Sequence, residues 1–338
     1  MHHIVKSIKD TRNEDRKRNM TDYKRIELLV KVAKLYYEND FSQEMIAKKL
    51  GLSRPYISKL LNEAKENGIV RFQVIDPLST ETPLEQKLRE RFRLEKVRIV
   101  PMSEGPASLS RLGLEAARFL DSILQDNDII GLSWGATIHA CSQALLQRND
   151  LHNIIAVQLC GGISNLNKSI YATEIGNNFS VSIGSISYTL PLPAIMDSKR
   201  MKDIVQKDHN IAKILQYGYD SNIALITTGA FGQKSALVHA GYISHDEMKL
   251  LADRGAVGDI CSHLIDIHGN ICDPELDERT IAVPLEEIKK KKYRICVAQG
   301  LSKVDSMLGA LNGGIANVLI TSEETADLIL RQDDYMNP

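Results

Sequence analysis

Asp128-Ile-Ile-Gly-Leu-Ser-Trp-Gly-Ala-Thr-Ile-His139 is the stretch whose reading decides the fold. Its apolar start predicts a buried strand over 128–132, and its second half opens a helical pattern that runs on over 136–147. Between them lie Gly131, Ser133 and Gly135, which let backbone N–H groups converge where the helix begins. A helix N-terminus carries unpaired donors and a positive partial charge, and the Ser133 and Thr137 hydroxyls add to them. Gly131, Ser133, Trp134, Gly135, Ala136 and Thr137 therefore read as a cradle for a phosphate. A strand, a glycine loop and a helix in that order form the repeating unit of a parallel α/β sheet. The loop then falls at the carboxyl end of its strand, where such sheets bind ligands.

The same pattern recurs at Ile295-Cys-Val-Ala-Gln-Gly-Leu-Ser-Lys303, which places Lys303 where it can neutralise an anion. A third strand end, Val157-Gln158-Leu159-Cys160-Gly161-Gly162, has the glycines without the hydroxyls. Strands are predicted at 96–100, 128–132, 154–159, 185–190, 222–227, 294–298 and 316–320. Helices are predicted near 109–125, 136–147, 170–182, 199–216, 245–253, 302–311 and 323–331. Their alternation predicts an α/β fold with a doubly wound, mainly parallel sheet. Residues 262–283 interrupt it with a hairpin expected around Gly269-Asn270, and the lysine run 289–292 reads as a solvated helix end.

Gly131-Leu-Ser133-Trp-Gly135 also fits the Gly-x-Ser-x-Gly elbow of serine hydrolases. No oxyanion-type His-Gly-Gly stretch precedes it, so no catalytic residue is assigned, and His139 reads as packed or exposed. A sugar-phosphate-processing enzyme of isomerase or deaminase type is the alternative reading of the body. Cys141, Cys160, Cys261, Cys272 and Cys296 lack metal-ligand spacing and form no disulfide framework. They read as core residues, with no metal and no cofactor implied.

Towards the N-terminus the character of the chain changes. Residues 1–76 hold 16 Lys/Arg against 11 Asp/Glu, while the remainder holds 26 against 32. A basic head ahead of an acidic body points weakly to nucleic acid. Residues 1–20 read as a charged arm, and both Met1 and Met20 are admissible starts. Ile26, Leu29, Val30, Ala33 and Tyr37 follow helical spacing. Ser42 is the expected N-cap of a short helix carrying Ile46, Ala47 and Leu50, which Gly51 ends. Ser53 caps the next helix, with Pro55 in its first turn. That helix has an apolar face of Ile57, Leu60, Leu61 and Ala64, and leaves Arg54, Tyr56, Ser58, Lys59 and Asn62 mostly outward. Two short helices about a tight turn, with polar groups leading the second, suit the DNA major groove. Arg54 is placed to read guanine, and Ser53, Tyr56 and Lys59 to meet phosphates. Ser42, Gln43, Pro55 and Ser58 complete the expected DNA-binding set. A short strand or wing is expected over 70–75.

The resulting domains are an arm at 1–20, a helix-turn-helix head at 21–75, a linker at 76–83 and a ligand-binding, oligomerising body at 84–335. Leu84, Leu88 and Phe92 form a stripe that packs on the body or on a second subunit. No run approaches the roughly 18 apolar residues of a membrane span, and the N-terminus has no apolar signal core. The expectation is a cytoplasmic protein without a membrane partner.

The head, Gly131–Thr137, Gln158-Leu-Cys-Gly-Gly162, Gly258-Asp-Ile260 and Ala298–Lys303 together resemble the SorC family of bacterial sugar-responsive transcriptional regulators, over about residues 22–331. The resemblance implies a body similar to sugar-phosphate isomerases and glucosamine-phosphate deaminases. It implies operator DNA and a phosphorylated sugar as partners, repression of a sugar operon, and a homo-oligomer, usually a tetramer, otherwise a dimer. By position, Ser133–Thr137 and Lys303 look like contacts to the effector, with Gln158, Cys160, Gly161 and Gly162 nearby. Asp259 looks like an acceptor of sugar hydroxyls. Tyr188–Pro193 and Val257–Ser262 resemble the deoxyribonucleoside-type members, whereas Phe92–Pro101 and Arg111–Glu115 lean toward those responding to phosphorylated autoinducer-2. Cys160 stands where the former carry an imine-forming lysine, which implies reversible binding here. Gln299 replaces the glycine common in the family.

Overall fold

The computed structural model describes residues 24–70, 81–101, 106–162 and 171–336. The chain divides into two units, one up to Thr80 and one from Glu81. The charged arm, the wing beyond Val70 and most of the linker lie outside the described residues.

The first unit is built from α1 (residues 24–37), α2 (Gln43–Leu50) and α3 (Arg54–Glu66). Its core joins Leu29, Val32 and Ala33 of α1 to Ile46 and Ala47 of α2 and to Ile57, Leu60, Leu61 and Ala64 of α3. The buried stripe of α1 thus runs through Val32, whereas Ile26, in the first turn, is 54% exposed. Ser42 Oγ accepts the Met45 N–H at 3.2 Å and caps α2. Gly51 closes that helix at φ +66°, a left-handed conformation that favours glycine. Ser53 stands at the N-cap of α3 without a side-chain bond, followed by Pro55 in the first turn.

The second unit carries ten strands: β1 Lys96–Val100, β2 Ile129–Leu132, β3 Ile155–Gln158, β4 Ile186–Tyr188, β5 Ile223–Ile226, β6 Thr228–Ala230, β7 Gly258–Ile260, β8 His263–Ile265, β9 Tyr293–Val297 and β10 Val318–Ser322. Seven form a parallel sheet in the order β1-β10-β9-β5-β2-β3-β4. Every residue of β5 and of β10 is buried. Such fully buried strands belong to a parallel sheet covered on both faces, because right-handed crossovers place helices on each side. From β2 the chain steps to β3 and β4 on one side, whereas β5 lies on the other side and leads on towards β9 and β10. The order therefore reverses between β2 and β5, and a crevice opens beyond their carboxyl ends.

β6, β7 and β8 form a second, antiparallel sheet. β6 follows β5 after the single residue Thr227, so it stands directly over the reversal point. The expected turn at Gly269-Asn270 exists, with Gly269 at φ +80° and one bridge joining Ile265 to Ile271. The principal hairpin lies earlier, however, joining β7 to β8 through Cys261-Ser262.

Several helix limits differ from the sequence reading. The helix after β2 spans Ala136–Gln143, short of residue 147. The pattern over 199–216 is two helices, Lys199–Val205 and His209–Asp220, because the Asp208 carboxylate accepts the N–H groups of Asn210 and Ile211 and starts a new one. The helix Pro83–Arg91 buries Leu88 in the main core and half-buries Leu84 and Phe92, so the stripe packs on the body. The lysine run is not wholly solvated. Lys291 is 4% exposed and its ammonium donates to the carbonyls of Gly218, Tyr219 and Ser221 at 2.8, 3.2 and 3.0 Å. It satisfies acceptors at the end of the helix His209–Asp220, and burial draws its pKa down to about 8. Among the described residues no helix is long and apolar enough to cross a membrane.

Candidate functional site

A cavity of about 500 Å³ lies where the sheet order reverses. Its walls come from the loop after β2 (Ser133–Thr137), the chain from Thr227 to Ala230, Asp259, Cys261 and Ser262 of the hairpin, Cys160 after β3, and Lys303 after β9. The volume suits a small organic ligand.

The β2 loop is shaped by Gly135, whose φ of +110° only glycine adopts readily and which starts the helix Ala136–Gln143. Trp134 is 8% exposed and donates its indole N–H to the Gly161 carbonyl at 2.9 Å, which ties the loop to β3. Ser133 Oγ accepts the Thr227 N–H at 3.2 Å, and the Ser133 N–H reaches the Leu225 carbonyl, clamping β2 to β5. The hydroxyl is thus bound to a backbone amide and retains its own proton to donate. Opposite, Gly300 at φ +102° turns the chain so that Lys303 ends a short 3-10 segment. Its ammonium donates to Thr227 Oγ1 at 3.3 Å. Burial pulls the Lys303 pKa down, while Cys296 and Asp259 pull it up.

Asp259 is 7% exposed, and burial raises its pKa to about 6 against the pull of the Ser262 N–H, Lys303 and His263. Oδ2 accepts that N–H at 3.1 Å. Gly229, its partner across the β6–β7 ladder, makes the position tenable: a Cβ at Gly229 would stand 1.8 Å from Asp259 Oδ1. Cys261 and Ser262 hold φ values of +50° and +70°. Both positive values fit the two-residue turn of a tight hairpin, but side chains there cost roughly 1–2 kcal/mol each. The Cys261 thiol, in hydrogen-bonding contact with Cys160 and buried, has its pKa pushed well up. His263 braces the hairpin from behind, with Nδ1 at 2.5 Å from Asp277 Oδ1 and Nε2 donating to the Val283 carbonyl at 3.1 Å.

Of the residues singled out from sequence, Ser133, Trp134, Gly135, Ala136, Thr137, Cys160, Asp259 and Lys303 meet at this cavity. Five do not line it. Gly131 sits within β2, where a Cβ would stand 2.5 Å from Leu159 Cδ2, so it serves packing. Gln158 turns away and accepts the Leu190 N–H at 2.7 Å. A Cβ at Gly161 would stand 2.3 Å from the Pro193 carbonyl, and the Gly162 N–H binds the Leu192 carbonyl, so this pair admits a neighbouring segment. Gln299 donates to Ser108 Oγ at 2.8 Å and is not on the wall. Sequence reasoning missed Thr227, Thr228, Gly229, Lys234, His239, Cys261 and Ser262. Ile226-Thr-Thr-Gly-Ala230, a strand end rich in hydroxyls and glycine, carried a usable signal for the first three. Lys234 and His239 lie in a stretch without periodicity. Among the described residues no cluster of His, Cys, Asp or Glu is fit to hold a metal.

On the first unit, Ser53, Arg54, Pro55 and Lys59 are exposed at the head of α3, with Tyr56 and Ser58 half-buried. Arg25 Nη1 donates to the Tyr56 hydroxyl at 2.5 Å and Nη2 pairs with Glu63 at 2.5 Å. α1 thereby fixes the orientation of Tyr56 and leaves its hydroxyl proton outward-donating capacity.

The Sugar-bind family model, describing a sugar-binding domain, matches residues 76–331. The Deoxyribonucleoside regulator of Bacillus subtilis is 37% identical over 307 residues, covering 90% of this chain and 97% of that protein. The Sorbitol operon regulator of Klebsiella pneumoniae is 33% identical over 311 residues, covering 90% and 98%. The crystal structure of full-length SorC from Klebsiella pneumoniae superposes with a TM-score of 0.72 at 32% identity, covering 90% of this chain and 98% of that one. With matches that extend over both the body and the head, the chain belongs to the SorC family of sugar-responsive transcriptional regulators.

Proposed function

We propose that the chain binds operator DNA through α3 and changes its hold on that DNA when a phosphorylated sugar enters the cavity between β2 and β5. It acts without catalysis, represses a sugar catabolic operon, and works in the cytoplasm as a homo-oligomer, a tetramer or a dimer. The head extends over 21–75, the linker over 76–83 and the effector body over 84–335. Ser42, Gln43, Ser53, Arg54, Pro55, Tyr56, Ser58 and Lys59 form the DNA face, with Arg54 on a base edge and Lys59 on phosphate.

One observation carries the ligand class. The first turn of the helix Ala136–Gln143, the Ser133 and Thr137 hydroxyls and the Lys303 ammonium surround one cavity at the reversal point of the sheet. Helix N-terminal donors and a half-buried lysine suit a phosphate dianion, and Asp259 beside them suits hydroxyls. Calorimetry on the full chain with ribose 5-phosphate and glucitol 6-phosphate, each against its dephosphorylated counterpart, tests this. Burying the anion against Lys303 favours the phosphorylated form by about 100-fold or more, since charge-assisted contacts contribute roughly 1.5–3 kcal/mol each. Equal affinity for the two forms removes the phosphate reading. Turnover of either compound restores the enzyme alternative.

A further inference from the structure

Arg25 lies in the first turn of α1, outside the two-helix motif of α2 and α3, yet its side chain is engaged wholly with α3. Nε and Nη2 donate to the two carboxylate oxygens of Glu63 at 3.0 and 2.5 Å, and Nη1 donates to the Tyr56 hydroxyl. The guanidinium carbon also sits 5.5 Å from the centre of the Tyr56 ring. Three directed bonds from one planar fork fix a geometry that a flexible ammonium does not hold. These bonds keep the Glu63 pKa below the usual carboxylate value, and Lys59 adds a smaller pull. Glu63 is therefore an anion at neutral pH.

Tyr56, Lys59 and Glu63 follow one another at three and four residues, so they form one stripe along α3. Lys59 is exposed, Tyr56 is half-buried, and the Arg25 and Glu63 side chains are 31% and 27% exposed. The cluster thus stands at the surface of the first unit. A bare carboxylate on that stripe is out of place on a face that meets phosphates, since like charges repel. Arg25 cancels it. The same guanidinium settles how Tyr56 can act. A guanidinium only donates, so the Tyr56 oxygen accepts from it and the phenolic proton is left for another acceptor. None of the described residues takes that proton. A phosphate oxygen carries charge and only accepts, which suits such a donor.

We infer that Arg25 is a positioning residue of the DNA face, which aims the Tyr56 hydroxyl proton at a backbone phosphate and masks the Glu63 charge without itself touching the DNA. The DNA face thus draws on α1 as well as on α2 and α3. This assignment rests on the reading of α3 as the DNA-binding helix.

The test uses the full chain and a fluorescent DNA duplex selected from a random pool by the parent protein. Tyr56→Phe, Arg25→Gln, their double variant and Lys59→Ala are compared by anisotropy over a range of salt, and melted without DNA. Tyr56→Phe should lose about 3- to 10-fold in affinity, the loss expected of one hydrogen bond. Its salt slope should stay at the parent's value, because no cation is removed. Arg25→Gln should lose about 10-fold or more, since Tyr56 is released and Glu63 is left bare beside the DNA. With Tyr56 already replaced by Phe, the same Arg25 substitution should cost about 3-fold less or better than in the parent. Glu63→Gln added to Arg25→Gln should return part of the loss. Arg25→Lys keeps a charge on Glu63 but loses the fork, so it should show the Tyr56→Phe loss even where Arg25→Gln unfolds the head. Additive losses for Arg25 and Tyr56 overturn the assignment, because they put Arg25 on the DNA directly or on the fold alone. So does parent-like affinity in Arg25→Gln or Arg25→Lys, or a loss that Glu63→Gln leaves untouched. Failure of the DNA reading of α3 looks different: Lys59→Ala is then also silent, or the pool yields no duplex, and the role of Arg25 falls with it.

Discussion

Asp259 ionises against its surroundings. Its pKa in the folded chain, about 6, lies above the roughly 3.9 expected of an unfolded aspartate. A group raised on folding contributes stability that is present in full below the unfolded value and is lost as pH rises through the folded one. At neutral pH the buried carboxylate is therefore a liability to the fold, worth about 3 kcal/mol at most from a displacement of roughly two pH units. Asp259→Asn should melt higher than the parent at pH 7.5, with the gap closing as pH falls towards 4. The gain falls short of that limit because Lys303 loses its nearby negative charge. A gap that is absent at pH 7.5, or that widens on acidification, would contradict the burial argument. The same variant should bind sugar compounds poorly, since an amide replaces an acceptor with a donor. Asp259 itself was found from the family's sequence pattern. Its dependence on Gly229 was not, because a contact across a ladder has no trace in the spacing of residues along the chain.

α3 follows from local rules. Ser42, Gly51, Ser53 and Pro55 mark helix ends, and the buried set Ile57, Leu60, Leu61 and Ala64 falls on one face as the spacing requires. The long strands of the parallel sheet were equally plain, since each is a short apolar run and most are followed by a helical stretch. Two other elements hid from such reading. β6, β7 and β8 have three residues each, too few for alternation to register. Their tight turn is formed by Cys261-Ser262 at positive φ, without the Gly, Asn or Asp that usually marks such a turn. Lys291 disappeared within a charged run because its partners, three carbonyls at the end of another helix, lie about 70 residues away. For α3 the polar face makes separable demands. Arg54→Ala should weaken operator binding by about 1–3 kcal/mol and relax preference at one base pair. Lys59→Ala should weaken every sequence alike and reduce the salt dependence by about one unit of slope. Fluorescence anisotropy at several salt concentrations reads both. Unchanged binding in the pair would take α3 away from the DNA.

Regulation requires the two units to act on each other through differential binding, for a ligand shifts an equilibrium only by as much as it prefers one state. Lys303→Ala should retain operator affinity, since the substitution lies in the second unit, yet should no longer respond to a sugar phosphate that releases the parent. A gel-shift titration with and without the sugar phosphate measures this, and a variant that still responds fully would remove Lys303 from the effector contact. Trp134 adds a practical consequence. It is the single tryptophan of the chain, it lines the cavity at the reversal point of the sheet, and its indole N–H is held by the Gly161 carbonyl. Indole emission depends on local polarity and on quenchers, and here Cys160 borders the same cavity. Light absorbed selectively by tryptophan is thus emitted from one place in the molecule, so the natural protein carries its own optical reporter of cavity occupancy, with no label to attach and no background from a second indole.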